Sequence, residues 1–266
     1  MVSKIAKIVF GLLLTPGFSF AEYYTFQEDF NRATFNSPVD LSYKLIQATA
    51  NLLNWRLNSD PRPLPPIKYN RLEQFGTWIR DPRSSSCLNT RARVLGRDSE
   101  TPVQFAENNR CRVESGTWND PYTRQTFTQA KDVDIDHVVA LKNAYDSGAY
   151  NWSRPYRCLF TNFTGLKSQL LAVSARENQV KSDKGPERWM PPNTQYACQH
   201  LQNWLAVKFI WRLNMTDLEV KAIRHFVTQL NCPLQMFQAN KMQVLKMRDL
   251  IERDVVICQS NSPPSN

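Results

Sequence analysis

The segment Asp132-Val133-Asp134-Ile135-Asp136-His137 sets three carboxylates and an imidazole within one short run. On an extended strand successive side chains alternate between faces, so Asp134 and Asp136 share a face. Carboxylates this close repel one another, and a sheet carries them best beside a cation. His137 is one of only three histidines. Its ordinary pKa lies near neutrality, so it can take a proton from water at working pH. A hard cation such as Mg²⁺ uses one or two carboxylates and keeps several waters. These residue types point to hydrolysis by an imidazole-activated water beside a cation.

A second cluster lies in Ala172 to Pro186. If 175–184 is helical, Asn178 and Lys181 stand three residues apart on one face. An amide oxygen can complete the shell of a hard cation, and a lysine can meet a phosphate oxygen.

The elements that must position these residues follow from periodicity. Val133–Val139 and Leu170–Ser174 read as strands, 140–150 as a short helix, and Ala175–Lys184 as a helix stopping before Gly185-Pro186. Residues 69–128 read as irregular, with short strands at Ala92–Leu95 and Arg110–Glu114. Leu201, Trp204, Leu205 and Phe209 mark another helix. Thr216 and Glu219 form a capping box ahead of Val220, Ile223, Val227 and Leu230, and Val244 to Ile257 is a last helix. The whole reads as α+β.

Composition bounds the rest. The 266 residues carry 33 Lys+Arg against 24 Asp+Glu, a formal charge of +9. With 42% hydrophobic and 11% aromatic residues, the chain is not a disordered one. Residues 1–21 read as a secretory signal peptide: Lys4 and Lys7, the apolar run Ile8 to Leu14, then Ser19-Phe20-Ala21 before Glu22. That run is too short to span a membrane. Without the two signal lysines the charge is still +7, which suits a polyanionic partner. After residue 21, Ser37-Pro38 starts a helix carrying Leu41, Leu45, Ala48, Leu52 and Trp55, and Asp60 to Pro66 is a proline-rich connector. The expected organisation is a signal at 1–21, a helical extension at 22–66, a main domain at 67–232, and a C-terminal helix and tail at 233–266. Export places Cys87, Cys111, Cys158, Cys198, Cys232 and Cys258 in an oxidising compartment. None sits two to four residues from another, so disulfides are expected rather than zinc, and the spacing leaves the pairing open.

A strand ending in Asp136-His137, a long loop, a second strand and a helix bearing Asn178 together resemble the HNH, or ββα-metal, nuclease motif. Asp134 to Val139 and Asn178 to Asp183 look like the corresponding segments in the HNH domain of RNA-guided CRISPR nucleases. Over residues 69–232 the chain is similar to secreted bacterial HNH-family nucleases, through Ser115 to Tyr122, the Asp-x-Asp-His strand, Asn178 to Pro192, and Cys198 with Trp204 and Val207-Lys208. The resemblance implies an endonuclease acting on DNA, with RNA the alternative substrate, and little sequence specificity. It implies His137 as general base, Asp136 and Asn178 as ligands of Mg²⁺ (with Mn²⁺ an alternative), Asp134 as a water-mediated partner, and Lys181 as a phosphate contact. It also implies Cys87–Cys111 and Cys198–Cys232 disulfides, which leaves Cys158 with Cys258. Secreted relatives often carry glycine where this chain has Arg124, and an acid where it has Arg93.

Other features have plainer readings. Among the eight arginines between Arg71 and Arg112, Arg80 and Arg91 are the candidates for phosphate contact, because guanidinium matches phosphate in a bidentate fork. Asp132 reads as a solvated strand-start charge. His200, near the start of a helix, and His225 read as locally hydrogen-bonded, and Trp189, Trp204 and Trp211 as core. Asn151, Asn162 and Asn214 open glycosylation-type triplets whose use the bacterial look of the signal disfavours. The rival functions are a non-catalytic extracellular nucleic-acid-binding protein and a structural envelope protein.

Overall fold

Two short strands carry the chemistry-bearing segment, and a helix holds them in place of further strands. In a computed structural model that describes residues 65–237 and 241–259, Val133–His137 pairs antiparallel with Leu170–Ser174. The expected signal segment, the helix expected after Pro38, most of the proline-rich connector and the residues from Ser260 lie outside the described residues. In chain order the elements are α1 (Arg71–Gln74), α2 (Thr90–Asp98), β1 (Gln104–Ala106), β2 (Asn109–Asn119), β3 (Thr126–Gln129), β4 (Val133–His137), α3 (Leu141–Asp146), α4 (Arg154–Asn162), β5 (Leu170–Ser174), α5 (Ala175–Lys181), α6 (Thr194–Ile210), α7 (Asp217–Gln229), α8 (Lys241–Asp254) and α9 (Val256–Gln259). β1, β2 and β3 form one antiparallel sheet, and β4 with β5 the other.

A two-stranded sheet leaves backbone groups unpaired on both edges. Here α2 supplies partners from its side chains. Arg91 donates to the carbonyls of Ala130 and Val133, at 3.0 and 2.7 Å. Arg97 donates to the Leu170 carbonyl, and Asp98 accepts the Ala172 amide at 3.0 Å. The apolar face of the same helix packs Ala92, Val94 and Leu95 against Val133, Ile135, Leu170 and Ala172 of the two strands and against Trp118 of β2. The stretch Ala92–Leu95, expected as a strand, is therefore helical. The Asn89 side chain accepts the Ala92 amide at 2.9 Å and caps the helix start, a signal that Val94 and the surrounding arginines masked.

Elsewhere the helix ends are corrected by backbone geometry. α5 stops at Lys181 rather than Lys184, because Ser182 takes φ 51°. The last helix starts at Lys241, ends at Asp254, and resumes as the short α9. The Thr216 capping box is present, and its Glu219 is fully buried against Lys208 at 3.3 Å. Lys208 also donates to Asn143 and Ser147, both at 2.7 Å, so α6, α7 and α3 meet at one buried polar junction. Three disulfides staple the fold: Cys87–Cys111, Cys158–Cys258 and Cys198–Cys232, the connectivity the resemblance implied.

Arg124 sits in the turn between β2 and β3 at φ 66°, a left-handed conformation that costs an L side chain roughly 1–2 kcal/mol. Arg124→Gly is expected to stabilise the fold, raising the free energy of unfolding by about 1 kcal/mol after the extra chain entropy of glycine is counted. A lower thermal midpoint in the variant would contradict that strain argument.

Candidate active site

Side-chain alternation along β4 sorts the site into two sides. Val133 and Ile135 face the core with α2. Asp134 and Asp136 face α5, as the strand reading expected. The Asn178 amide donates to Asp134 at 3.3 Å. Lys181 Nζ meets Asp136 Oδ1 at 2.8 Å and the His137 carbonyl at 2.9 Å. A third group, given no role by the sequence reading, reaches the same carboxylate. Tyr122 Oη donates to Asp136 Oδ2 at 2.5 Å from the β2–β3 turn. Asn193 anchors that turn by bonding the carbonyls of Tyr122 and Pro121.

Lys181 is fully buried and Asp136 is 3% exposed. The lysine charge is thus spent on the carboxylate, and a phosphate contact by Lys181 does not fit this placement. Burial pushes the Asp136 pKa up, while the Lys181 ammonium and the Tyr122 hydroxyl hold it down. Burial beside that carboxylate keeps the Tyr122 phenol well above its usual range.

The His137 imidazole turns the other way. Its Nε2 lies 3.0 Å from the Thr161 carbonyl, so Nε2 carries the proton and Nδ1 holds the lone pair. Trp78 stacks on the ring and Phe160 lies nearly parallel to it. Burial lowers the His137 pKa to about 3, only partly opposed by the Thr161 hydrogen bond. His200 is also held at about 3 by burial. It lies well inside α6, not at its start, among Tyr122, Trp189 and Tyr196. Among the described residues its Nδ1 has no hydrogen-bond partner, contrary to the local bonding expected.

Both histidines have folded pKa values below the unfolded value near 6.5. Between those limits the unfolded chain binds protons that the folded chain refuses. Their contribution is complete above pH 6.5 and is lost as pH falls toward 3, by up to about 1.4 kcal/mol per pH unit for each group. The urea midpoint should therefore fall between pH 7 and 4.5, and His200→Phe should flatten that fall. Equal slopes in the variant and the parent would contradict it.

Arg80 and Arg91 line one groove of about 860 Å³, together with Trp78, Asn89 and Arg112. Arg80 is exposed. Arg91 is half-buried, with one terminal nitrogen on backbone carbonyls and the other 3.9 Å from Asp134. Trp189, Trp204 and Trp211 are core, as read. His225 is exposed on α7.

The donor set is all oxygen: Asp134, with its side chain 36% exposed, Asp136 and the Asn178 amide. Each carboxylate oxygen keeps a lone pair beyond the bonds described. Such donors fit a hard cation that retains water, not zinc. Among the described residues no three His, Cys, Asp or Glu side chains gather into a closed cage.

A strand–strand–helix unit with Asp-His closing one strand and Asn on the helix defines an HNH-like nuclease domain. Residues 90–225, half of the chain, match the family of GmrSD restriction endonucleases, C-terminal domain, and the chain belongs to that family. It is also similar to an uncharacterized secreted protein of Arthroderma benhamiae, 42% identical over 162 residues that make up 61% of this chain and 76% of the relative. No solved structure matches it.

Tyr122 was findable in part, since it closes the quoted run from Ser115. The Thr161 carbonyl carries no signal in a sequence, because every residue has one.

Proposed function

We propose that the chain is an exported, metal-dependent endonuclease that hydrolyses phosphodiester bonds of DNA, with RNA the alternative substrate, and with little sequence specificity. The observation that carries this reading is the 3.0 Å approach of His137 Nε2 to the Thr161 carbonyl. With Nε2–H spent on Thr161, the Nδ1 lone pair is left to accept a proton from water. Burial keeps the ring neutral, and an arriving anionic phosphodiester would strengthen its proton affinity. Asp136 and Asn178 would hold Mg²⁺ or Mn²⁺, with Asp134 joined through water. The cation, when bound, supplies charge stabilisation for the phosphorane and the leaving oxygen. In-line displacement sets nucleophile and leaving group on opposite sides of phosphorus. A base on one side of the β4 end and acidic oxygens on the other suit that demand. Arg80 and Arg91 would meet flanking phosphates in their shared groove. The expected products carry 5′-phosphate and 3′-hydroxyl ends. Three disulfides and the secreted name of the fungal relative support export.

The test is digestion of plasmid, single-stranded DNA and RNA by the purified protein, with and without chelator. Cleavage should require Mg²⁺ or Mn²⁺ and stop in EDTA. Cleavage that persists in EDTA would remove the cation. Tight binding without any product would make the chain a nucleic-acid-binding protein instead.

A further inference from the structure

A hydrogen bond at Nε2 fixes one atom of the His137 ring, but the ring plane can still swing about the Nε2···O axis. Trp78 closes that freedom. Its ring lies 5.2 Å from the imidazole, centroid to centroid, with only 2° between the planes. Phe160 lies 6.4 Å from the same imidazole at 15°.

The backbone on both sides of Trp78 is gripped by one side chain. Asn162 Oδ1 accepts the Ile79 amide at 3.0 Å, and its Nδ2 donates to the Thr77 carbonyl at 3.1 Å. Asn162 directly follows Thr161, whose carbonyl holds the imidazole. Thr161 Oγ1 also donates to the Phe75 carbonyl at 3.2 Å. The last turn of α4 therefore registers the indole and the imidazole to each other. This also gives Asn162 a buried structural use in place of glycosylation. Trp78 precedes residue 90, outside the segment matched to the family.

We propose that Trp78 is a positioning residue: it sets the plane of the His137 ring, and so the direction in which Nδ1 meets the attacking water. The proposal rests on the nuclease reading above. A general base must be held within about 10–20° of its productive direction, and misplacement by about 1 Å can cost on the order of 10² in rate.

The test compares Trp78→Leu, which keeps apolar bulk without the flat ring, with Trp78→Phe, which keeps a ring. Trp78→Leu should cut DNA about tenfold to a hundredfold more slowly at saturating substrate, with KM unchanged, and Trp78→Phe should recover most of the loss. In the parent, the His137 ring protons should show an upfield ring-current shift by NMR that Trp78→Leu loses. Wild-type kcat in Trp78→Leu, a change confined to KM, or equal losses in both variants would overturn the proposal. If Trp78→Leu does not fold, the parent spectrum and Trp78→Phe decide. A shifted ring and a near-parental kcat support the role, and an unshifted ring or a kcat lost in Trp78→Phe overturns it. If the parent cuts no nucleic acid, the nuclease reading fails, and the NMR comparison judges the stack separately. Loss of the Nε2–H tautomer in Trp78→Leu supports positioning, and its retention overturns it.

Discussion

His137→Gln is expected to lower cleavage by on the order of 10²–10⁴-fold, the share that a general base supplies. Glutamine can still donate an N–H toward the Thr161 carbonyl, which now accepts from Nε2. It can also lie flat against Trp78. What it cannot do is accept a proton at neutral pH. Fold and nucleic-acid binding should therefore persist while product formation disappears, as read by plasmid nicking alongside a binding assay in EDTA. Alanine is the less clean choice, because the site is 7% exposed and a truncated side chain leaves a hole between aromatic neighbours. Full cleavage by a folded His137→Gln protein would remove the base from the mechanism.

The second large effect is one of stability. Lys181→Met keeps the length of the side chain but strips the charge from a buried pair. Among the described residues, Asp136 is then left with only the Tyr122 hydroxyl on its carboxylate. Breaking one partner of a buried ion pair typically costs 3–5 kcal/mol, about 2–4 °C of thermal midpoint for each kcal/mol in a domain of this size. A drop of about 10 °C is thus expected. Adding Asp136→Asn should restore much of it, since no unpaired charge then remains, while leaving the protein inactive if Asp136 holds the cation. A lysine serving as a phosphate contact predicts the reverse: an unchanged midpoint and a raised KM. The two roles separate in one melting experiment.

The buried pair also explains a limit of the sequence reading. A lysine three residues after an asparagine on a short helix reads as a surface cation, because lysine is rarely buried. Only the packing of α5 on β4 brings its ammonium to Asp136. Arg91, the candidate phosphate fork, likewise reaches across the chain, with one terminal nitrogen holding the backbone at the start of β4. In both cases the residue type was informative, but its partner lay about 40 residues away in the chain, beyond the reach of local periodicity.

What the sequence determined by itself was set by short-range rules. Alternation put Asp134 and Asp136 on one face of a strand, apolar runs placed β4, β5 and the later helices, and Thr216 with Glu219 marked a helix start. The order of Asp136, His137 and Asn178 pointed to the family. Tertiary structure decided the rest: that Ala92–Leu95 is a helix standing in for missing strands, that Tyr122 and Lys181 converge on Asp136, and that Thr161 and Trp78 fix the imidazole. Those contacts join groups far apart in the chain, several of them through backbone atoms that every residue shares. They are formed when apolar burial brings the elements together, and no local pattern encodes them.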